Sequence, residues 1–241
     1  MADLSLLTIV QNLCRRQNIT IPTTVIGSTD TQILQIQGLL EEEGNDLASR
    51  GGWQGITFEA ALTTTATESQ GAMTTLCPNG FRYISNQTIW SRTRRLPVSG
   101  PLDAQEWQML KALFVNGPYY RHRIRGGELL VNPTPPAGES WYWEYVSQNW
   151  ITDVTGVNYR QFFTADTDTV LLPGTLVLQG LRWRWLREKG MDYAELYNTY
   201  EAQVKDALGR DGGKSVLTMD GEATRGPRPG IWVPSGSWNL P

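Results

Sequence analysis

Leu176-Val177-Leu178-Gln179-Gly180-Leu181-Arg182-Trp183-Arg184-Trp185-Leu186-Arg187-Glu188-Lys189 is the stretch that decides the fold. At 100° per residue, Leu176, Val177, Leu178, Leu181, Trp183, Trp185 and Leu186 spread around the whole axis of a helix. A helix apolar on every side is enclosed on several. Arg182, Arg184 and Arg187 then need carboxylate partners or an interface, because an unpaired buried charge is costly. Pro173 suits the first turn of this helix and Gly190 closes it. Asp192 and Glu195 have capping-box spacing for a second helix running to about Leu208. Its Tyr193, Leu196, Tyr197, Tyr200, Val204, Ala207 and Leu208 form one apolar stripe.

The enclosing partners are expected at the other end of the chain. Leu6 to Gln17 reads as a helix with Leu6, Ile9, Val10, Leu13 and Cys14 on one side. After a loop holding Pro22 and Gly27, Thr29 and Gln32 are spaced as a capping box. The helix they open carries Ile33, Ile36, Leu40, Gly44 and Leu47 in one stripe. Glu41, Glu42 and Glu43 fall mostly off that stripe and read as a solvated face. Arg50-Gly51-Gly52 should end the helix through a left-handed glycine cap.

Between the helical blocks the texture is that of strands. Ile56, Phe58 and Ala60 alternate with Thr57, Glu59 and Ala61. Pro78-Asn79-Gly80 reads as a turn, followed by a strand around Ile89 to Pro97 on which Arg92 and Arg94 share a face and Arg95 points away. Asp103 and Glu106 open a short helix through Trp107, Leu110 and Phe114. Strands resume at Tyr119–Ile124 and Leu129–Val131, and Trp141, Trp143 and Tyr145 share one strand face. The fold class is therefore α+β, with N- and C-terminal helices packed as one bundle and an inserted, mainly antiparallel β lobe. The expected boundaries are 1–52 (helical body, first part), 53–172 (β lobe, short helix near 103–115), 173–210 (helical body, second part) and 211–241 (extended C-terminal arm).

That arm has six Gly and four Pro among thirty-one residues, a composition that breaks both helix and sheet. Ordering it would cost on the order of 30 kcal/mol of backbone entropy, which roughly 1,200 Å² of buried apolar area would offset. Its two large anchors, Trp232 and Trp238, supply at most ~500 Å². An ordered arm must therefore lie along a groove, on this chain, on a second copy or on another protein.

Composition excludes several classes. A formal charge of −3 and a pI near 5.3 argue against a general nucleic-acid binder. No apolar run is long enough to span a membrane, and Leu4–Val10 is too short for a signal peptide. The sequons at Asn18 and Asn86 then lack a glycosylation context, and Cys14 and Cys77 read as two buried thiols. One histidine, His122, sits among arginines and reads as a surface or interface group. Gly209 to Ser215 resembles a phosphate loop, but Leu208 stands where its first glycine belongs and a helix precedes it; a flexible joint is the better reading. Asp166 and Asp168 lack the glycine and glutamate of a calcium loop. No catalytic residue, metal or cofactor is expected. Arg121, Arg123 and Arg125 share a strand face that could meet a phosphate backbone or an acidic partner.

Several of these segments together resemble a known family. They are Leu47-Ala48-Ser49-Arg50-Gly51-Gly52-Trp53, the loop Asn132-Pro133-Thr134-Pro135-Pro136-Ala137-Gly138 leading to Trp143-Glu144-Tyr145-Val146-Ser147 and Trp150, Phe162 to Asp168, Leu181-Arg182-Trp183-Arg184-Trp185 and Gly190-Met191-Asp192-Tyr193-Ala194. In them the chain resembles the head-to-tail adaptors of short-tailed bacteriophages, the tail tubular A-type or head-completion proteins. The resemblance implies a ring, commonly of twelve copies, below the portal protein and continuing the DNA channel toward the tail nozzle or other tail proteins. It implies a virion protein at the head–tail junction, made in the host cytoplasm, whose C-terminal extension docks on the portal. On that reading Arg182, Arg184 and Arg187 pair with acids across subunits, and Arg225, Arg228, Trp232 and Trp238 of the arm bind the partner. The rival readings are a carbohydrate-binding or tail-surface module, which needs Trp141 and Trp143 exposed, and a glycan-cleaving virion enzyme, which needs two close carboxylates in a cleft.

Overall fold

A computed structural model of the protein describes residues 4–85, 88–113 and 119–212. Helix α1 (Leu6–Gln17) begins where the Ser5 hydroxyl accepts the Thr8 amide at 3.3 Å and ends at Asn18, which takes a left-handed φ of 55°. All five residues of its predicted stripe are buried. Helix α2 (Thr31–Ser49) is capped by Asp30, whose carboxylate accepts the Gln32 amide at 2.8 Å. This replaces the expected Thr29–Gln32 box, since an ionised acceptor makes the stronger cap. The expected left-handed glycine cap is absent as well. Arg50 stays right-handed, and the Trp53 indole N–H donates to the Leu47 carbonyl at 2.8 Å. A Cβ at Gly51 would lie 2.5 Å from a terminal methyl of Leu208, which would have to turn aside.

A single 3-10 turn (Gln54–Ile56) leads into the β lobe. Its elements are β1 (Thr57–Thr63), β2 (Ser69–Ala72), α3 (Met73–Leu76), β3 (Tyr83–Ile84), β4 (Trp90–Ser91), β5 (Leu96–Pro97), α4 (Ala104–Ala112), β6 (Arg121–Arg125), β7 (Glu128–Asn132) and β8 (Ser140–Val146). Strand β8 is central: β1 pairs along its full length from Thr57–Val146 to Thr63–Ser140, and β3 and β4 also pair with it. A second sheet has the order β2-β7-β6, and every pairing among the named strands is antiparallel. The alternation read from sequence holds, with Trp141, Trp143 and Tyr145 all buried. So does the Asp103–Glu106 capping box of α4. The strand expected over Ile89–Pro97 is instead the hairpin β4–β5, with Arg92 to Arg95 in its turn and Arg95 at a left-handed φ of 59°.

Strands β9 (Ile151–Thr152), β10 (Tyr159–Arg160) and β11 (Thr169–Val170) form a small third sheet before α5 (Gly174–Glu188) and α6 (Ala194–Asp211). The first and last helical blocks do share one core, in which α1, α2, α5 and α6 bury Leu13, Ile36, Leu40, Val177, Leu181 and Val204 together. Trp150, Ile151, Phe163, Val170 and Leu172 join this same core, so the tail of the 53–172 segment packs with the helices. The rest of the β lobe has its own core around Met73, Tyr120, Val131 and Trp141. The fold is α+β, with helices from both halves of the chain around an inserted antiparallel β region. The arm lies outside the described residues from 213 onward.

Two glycines let the helical elements approach. A Cβ at Gly44 would sit 2.1 Å from the Trp150 ring, and one at Gly180 would sit 2.0 Å from the Glu43 carboxylate. The second opening admits the group on which the interior of the helical body is built.

Candidate functional site

Glu43, read from sequence as part of a solvated run, has no exposed surface at all. It projects from α2 into the space that Gly180 leaves on α5. There its Oε2 accepts the Nε–H of Arg184 at 2.5 Å, and its Oε1 accepts the Tyr200 hydroxyl from α6. Arg184 also donates through Nη2 to Asp46 at 2.9 Å and through Nη1 to Glu42. Arg50 extends the network, bonding Asp46 at 2.8 Å and Glu201 of α6. Burial raises the pKa of Glu43, against the pull of Tyr200 and Arg184. Burial pulls the pKa of Arg184 down, but the bond to Glu43 and the surrounding acids hold it above the usual value. The Tyr200 hydroxyl is likewise pushed up, by burial first and then by the Glu43 charge, so it stays a donor.

This geometry corrects the expectation that Arg184 reaches acids on a neighbouring subunit. All three of its carboxylates come from α2 of its own chain, and burial leaves the guanidinium no free edge. Arg187 is only partly enclosed, 3.9 Å from Glu42 and 3.2 Å from Glu188. Arg182 keeps a buried Nε with no hydrogen-bond partner among the described residues. Arg225, Arg228, Trp232 and Trp238 lie outside the described residues.

Trp183 stands between the charged interior and the surface. Its ring meets Tyr200 on one side at 6.3 Å, and Tyr197 and Tyr193 at 5.0 and 6.2 Å. Arg184 and Arg187 lie over the same ring at 4.8 and 5.2 Å. Outside it opens a groove of about 410 Å³ lined by Trp183, Arg187, Tyr193, Ala194, Tyr197 and Asn198. Tyr193, Tyr197 and nearby Met191 are all exposed, although sequence periodicity assigns both tyrosines to the buried stripe. The stripe closes only lower down α6, at Tyr200 and Val204. From Asn198 a shallower trough continues along α6 past Ala202 and Gln203 to Asp206.

The other candidates have structural employment. His122 is interior, not superficial: β6 turns it inward beneath Gly100, and neither imidazole nitrogen has a hydrogen-bond partner among the described residues. Burial pushes its pKa down to about 4, opposed by the backbone near Ser99 and Val98. Arg121 and Arg125 are exposed on the opposite face of β6, with Arg123 half-buried between them. Arg92 stacks over Tyr142 at 3.4 Å and pairs with Glu59, and Arg94 pairs with Glu139. Asp166 caps the Val25 and Ile26 amides, and Asp168 accepts the amides of Thr164 and Ala165. Burial lifts the Cys77 thiol to about 11 and Cys14 likewise upward. Gly209 to Asp211 continue α6, and the rest of the phosphate-loop lookalike lies outside the described residues. Trp141 and Trp143, being buried, offer no sugar platform.

Sequence reasoning missed the Glu43–Arg184–Tyr200 centre. The available signal was an all-round apolar helix with arginine at its middle, facing a helix with four acids between Glu41 and Asp46. No protein-family model matches the chain, and no curated protein matches it.

Proposed function

We propose that this protein is a non-enzymatic structural component of a virion, a head-to-tail adaptor of a short-tailed bacteriophage. Copies form a ring below the portal that continues the DNA channel toward the tail nozzle or other tail proteins. The subunit is made in the host cytoplasm and works at the head–tail junction. The observation that carries the reading is the division of labour on α5 and α6. Their buried charges are spent on holding the helical body together, while their outer face presents aromatic side chains without a cover among the described residues. Such a face, with aromatic residues and arginine beside it, has the composition of an interface core. The sequence resemblance supplies the kind of assembly. Arg121 and Arg125 give the β lobe an exposed basic strip that suits double-stranded DNA passing without sequence-specific contact.

The mass of the assembled species tests this. Purified protein mixed with portal should form a closed multimer bound to it. Deletion of residues 213–241 should leave folded subunits that no longer attach. A monomer at high concentration with portal present refutes the adaptor reading, and normal attachment by the truncated chain refutes the role of the arm.

A further inference from the structure

Strand β1 stands at an open edge of the larger sheet: β8 pairs one side of it, and no described strand pairs the other. The ladder fixes which groups are left over. The Ser147 amide donates to the Ile56 carbonyl at 2.8 Å and the Thr64 amide to the Glu139 carbonyl at 2.9 Å, so the even-numbered positions between them bond to β8. Glu59, Ala61 and Thr63 then turn their N–H and C=O groups away from the sheet. Among the described residues no backbone group meets them there, and all three residues are exposed. Edges elsewhere in the chain are short, bent or covered. Strands β3, β5, β10 and β11 have two residues each, β2 carries a register break, and the 99–102 segment bonds to β6. On β1, seven residues run without proline, lysine, arginine or a bulge, so the usual defences of an edge are missing. Its one charge, Glu59, is met by Arg92 across the Tyr142 ring.

The occupant that fits such an edge is the same edge. We propose that two copies of the free protein pair their β1 strands antiparallel about Ala61, joining two five-stranded sheets into one. Centred there, Ala61 meets Ala61 of the second copy and Glu59 meets its Thr63, giving about six new backbone hydrogen bonds. The two glutamates stay about 13 Å apart along the strands, where salt screens their repulsion. On the covered face, Leu62 of one copy falls opposite Ala60 of the other. Other registers are worse. Centring on Glu59 would set the two carboxylates opposite each other, and centring on Thr63 would pair Glu59 with Thr67, past the end of the strand. A two-fold contact of this kind closes on itself, so it is separate from a ring contact and does not rest on the adaptor reading.

Cysteine cross-linking and solution mass test the pairing. Hydrogen-bonded partners lie about 5.5 Å apart between Cα atoms, within disulfide reach. Under mild oxidation A61C chains should link to one another at least tenfold faster than E59C chains alone or T63C chains alone, whereas a mixture of E59C and T63C should link one to the other. The unaltered protein should pass from monomer to dimer as its concentration rises. A61P removes an outward N–H that the subunit itself does not use, so it should keep its circular dichroism and stay monomeric where the unaltered protein is dimeric. A monomer at every concentration, equal linking by E59C alone, or an A61P chain that dimerises as well as its parent would each overturn the proposal. So would an A61C thiol protected only when portal is present, which would give the edge to another protein. Failure here leaves the mass of the portal complex to be measured, so the strand pairing and the adaptor can fail separately.

Discussion

Each half of the molecule is built around a buried glutamate, and the two are satisfied differently. Glu43 in the helical body meets an arginine that is itself buried, together with a tyrosine from a third helix. Glu139 in the β lobe accepts the Trp141 indole at 3.0 Å, the Tyr120 hydroxyl at 3.1 Å and Ser91 at 3.4 Å, and its arginine, Arg94, is partly in water. The first arrangement ties together helices 141 positions apart; the second fastens a hairpin to its own sheet. The helical body therefore centres on a dry ion pair, whereas the lobe spreads the same task over three neutral donors and an arginine that reaches water. The lobe also carries the opposite case, His122, buried with no hydrogen-bond partner for its ring nitrogens among the described residues.

The largest effect should come from R184M, which strands the Glu43 charge. Urea unfolding should show a loss of about 3–5 kcal/mol at neutral pH. The deficit should shrink on acidification, because Glu43 can then take up a proton. Adding E43L should recover much of it, and a double variant that loses the sum of both singles would show that the pair is not coupled.

His122 should make the lobe acid-sensitive. With a folded pKa of about 4 against 6.5 unfolded, the native state binds fewer protons, so stability falls as pH drops through that window. The loss approaches about 3 kcal/mol by pH 4 and should be missing from H122L. Glu43 works in the other direction: its raised pKa gives a contribution that is full below the ordinary carboxylate range and fades as pH rises. The smallest effect is expected from E139A, which leaves the buried donors Trp141, Tyr120 and Ser91 without their acceptor and should cost about 2 kcal/mol in the same unfolding experiment. A loss equal to that of R184M would erase the contrast between the two centres.

Local signals carried most of the fold. The bounds of α1, the Asp103–Glu106 box and the inward set Trp141, Trp143 and Tyr145 were all legible, because each rests on neighbours within one turn or one strand. Glu43 was not, since a triple glutamate looks solvated until the gap at Gly180 and the charge of Arg184 are known from the far end of the chain. His122 was misread for the same kind of reason: its flanking arginines announce a surface strand, but only the sheet pairing shows which face is covered. Tyr193 and Tyr197 fit the stripe of α6, yet α5 underlies only part of that stripe. Periodicity gives the direction of a side chain and says nothing of where the opposing surface stops.

The end of α6 has a mechanical consequence. Asp211 accepts the Gln54 amide at 2.6 Å, fastening the last helical turn to the 3-10 turn that joins α2 to β1. A pull on the chain beyond Gly212 would thus be delivered to the seam between the two cores before it could peel the helix from its end.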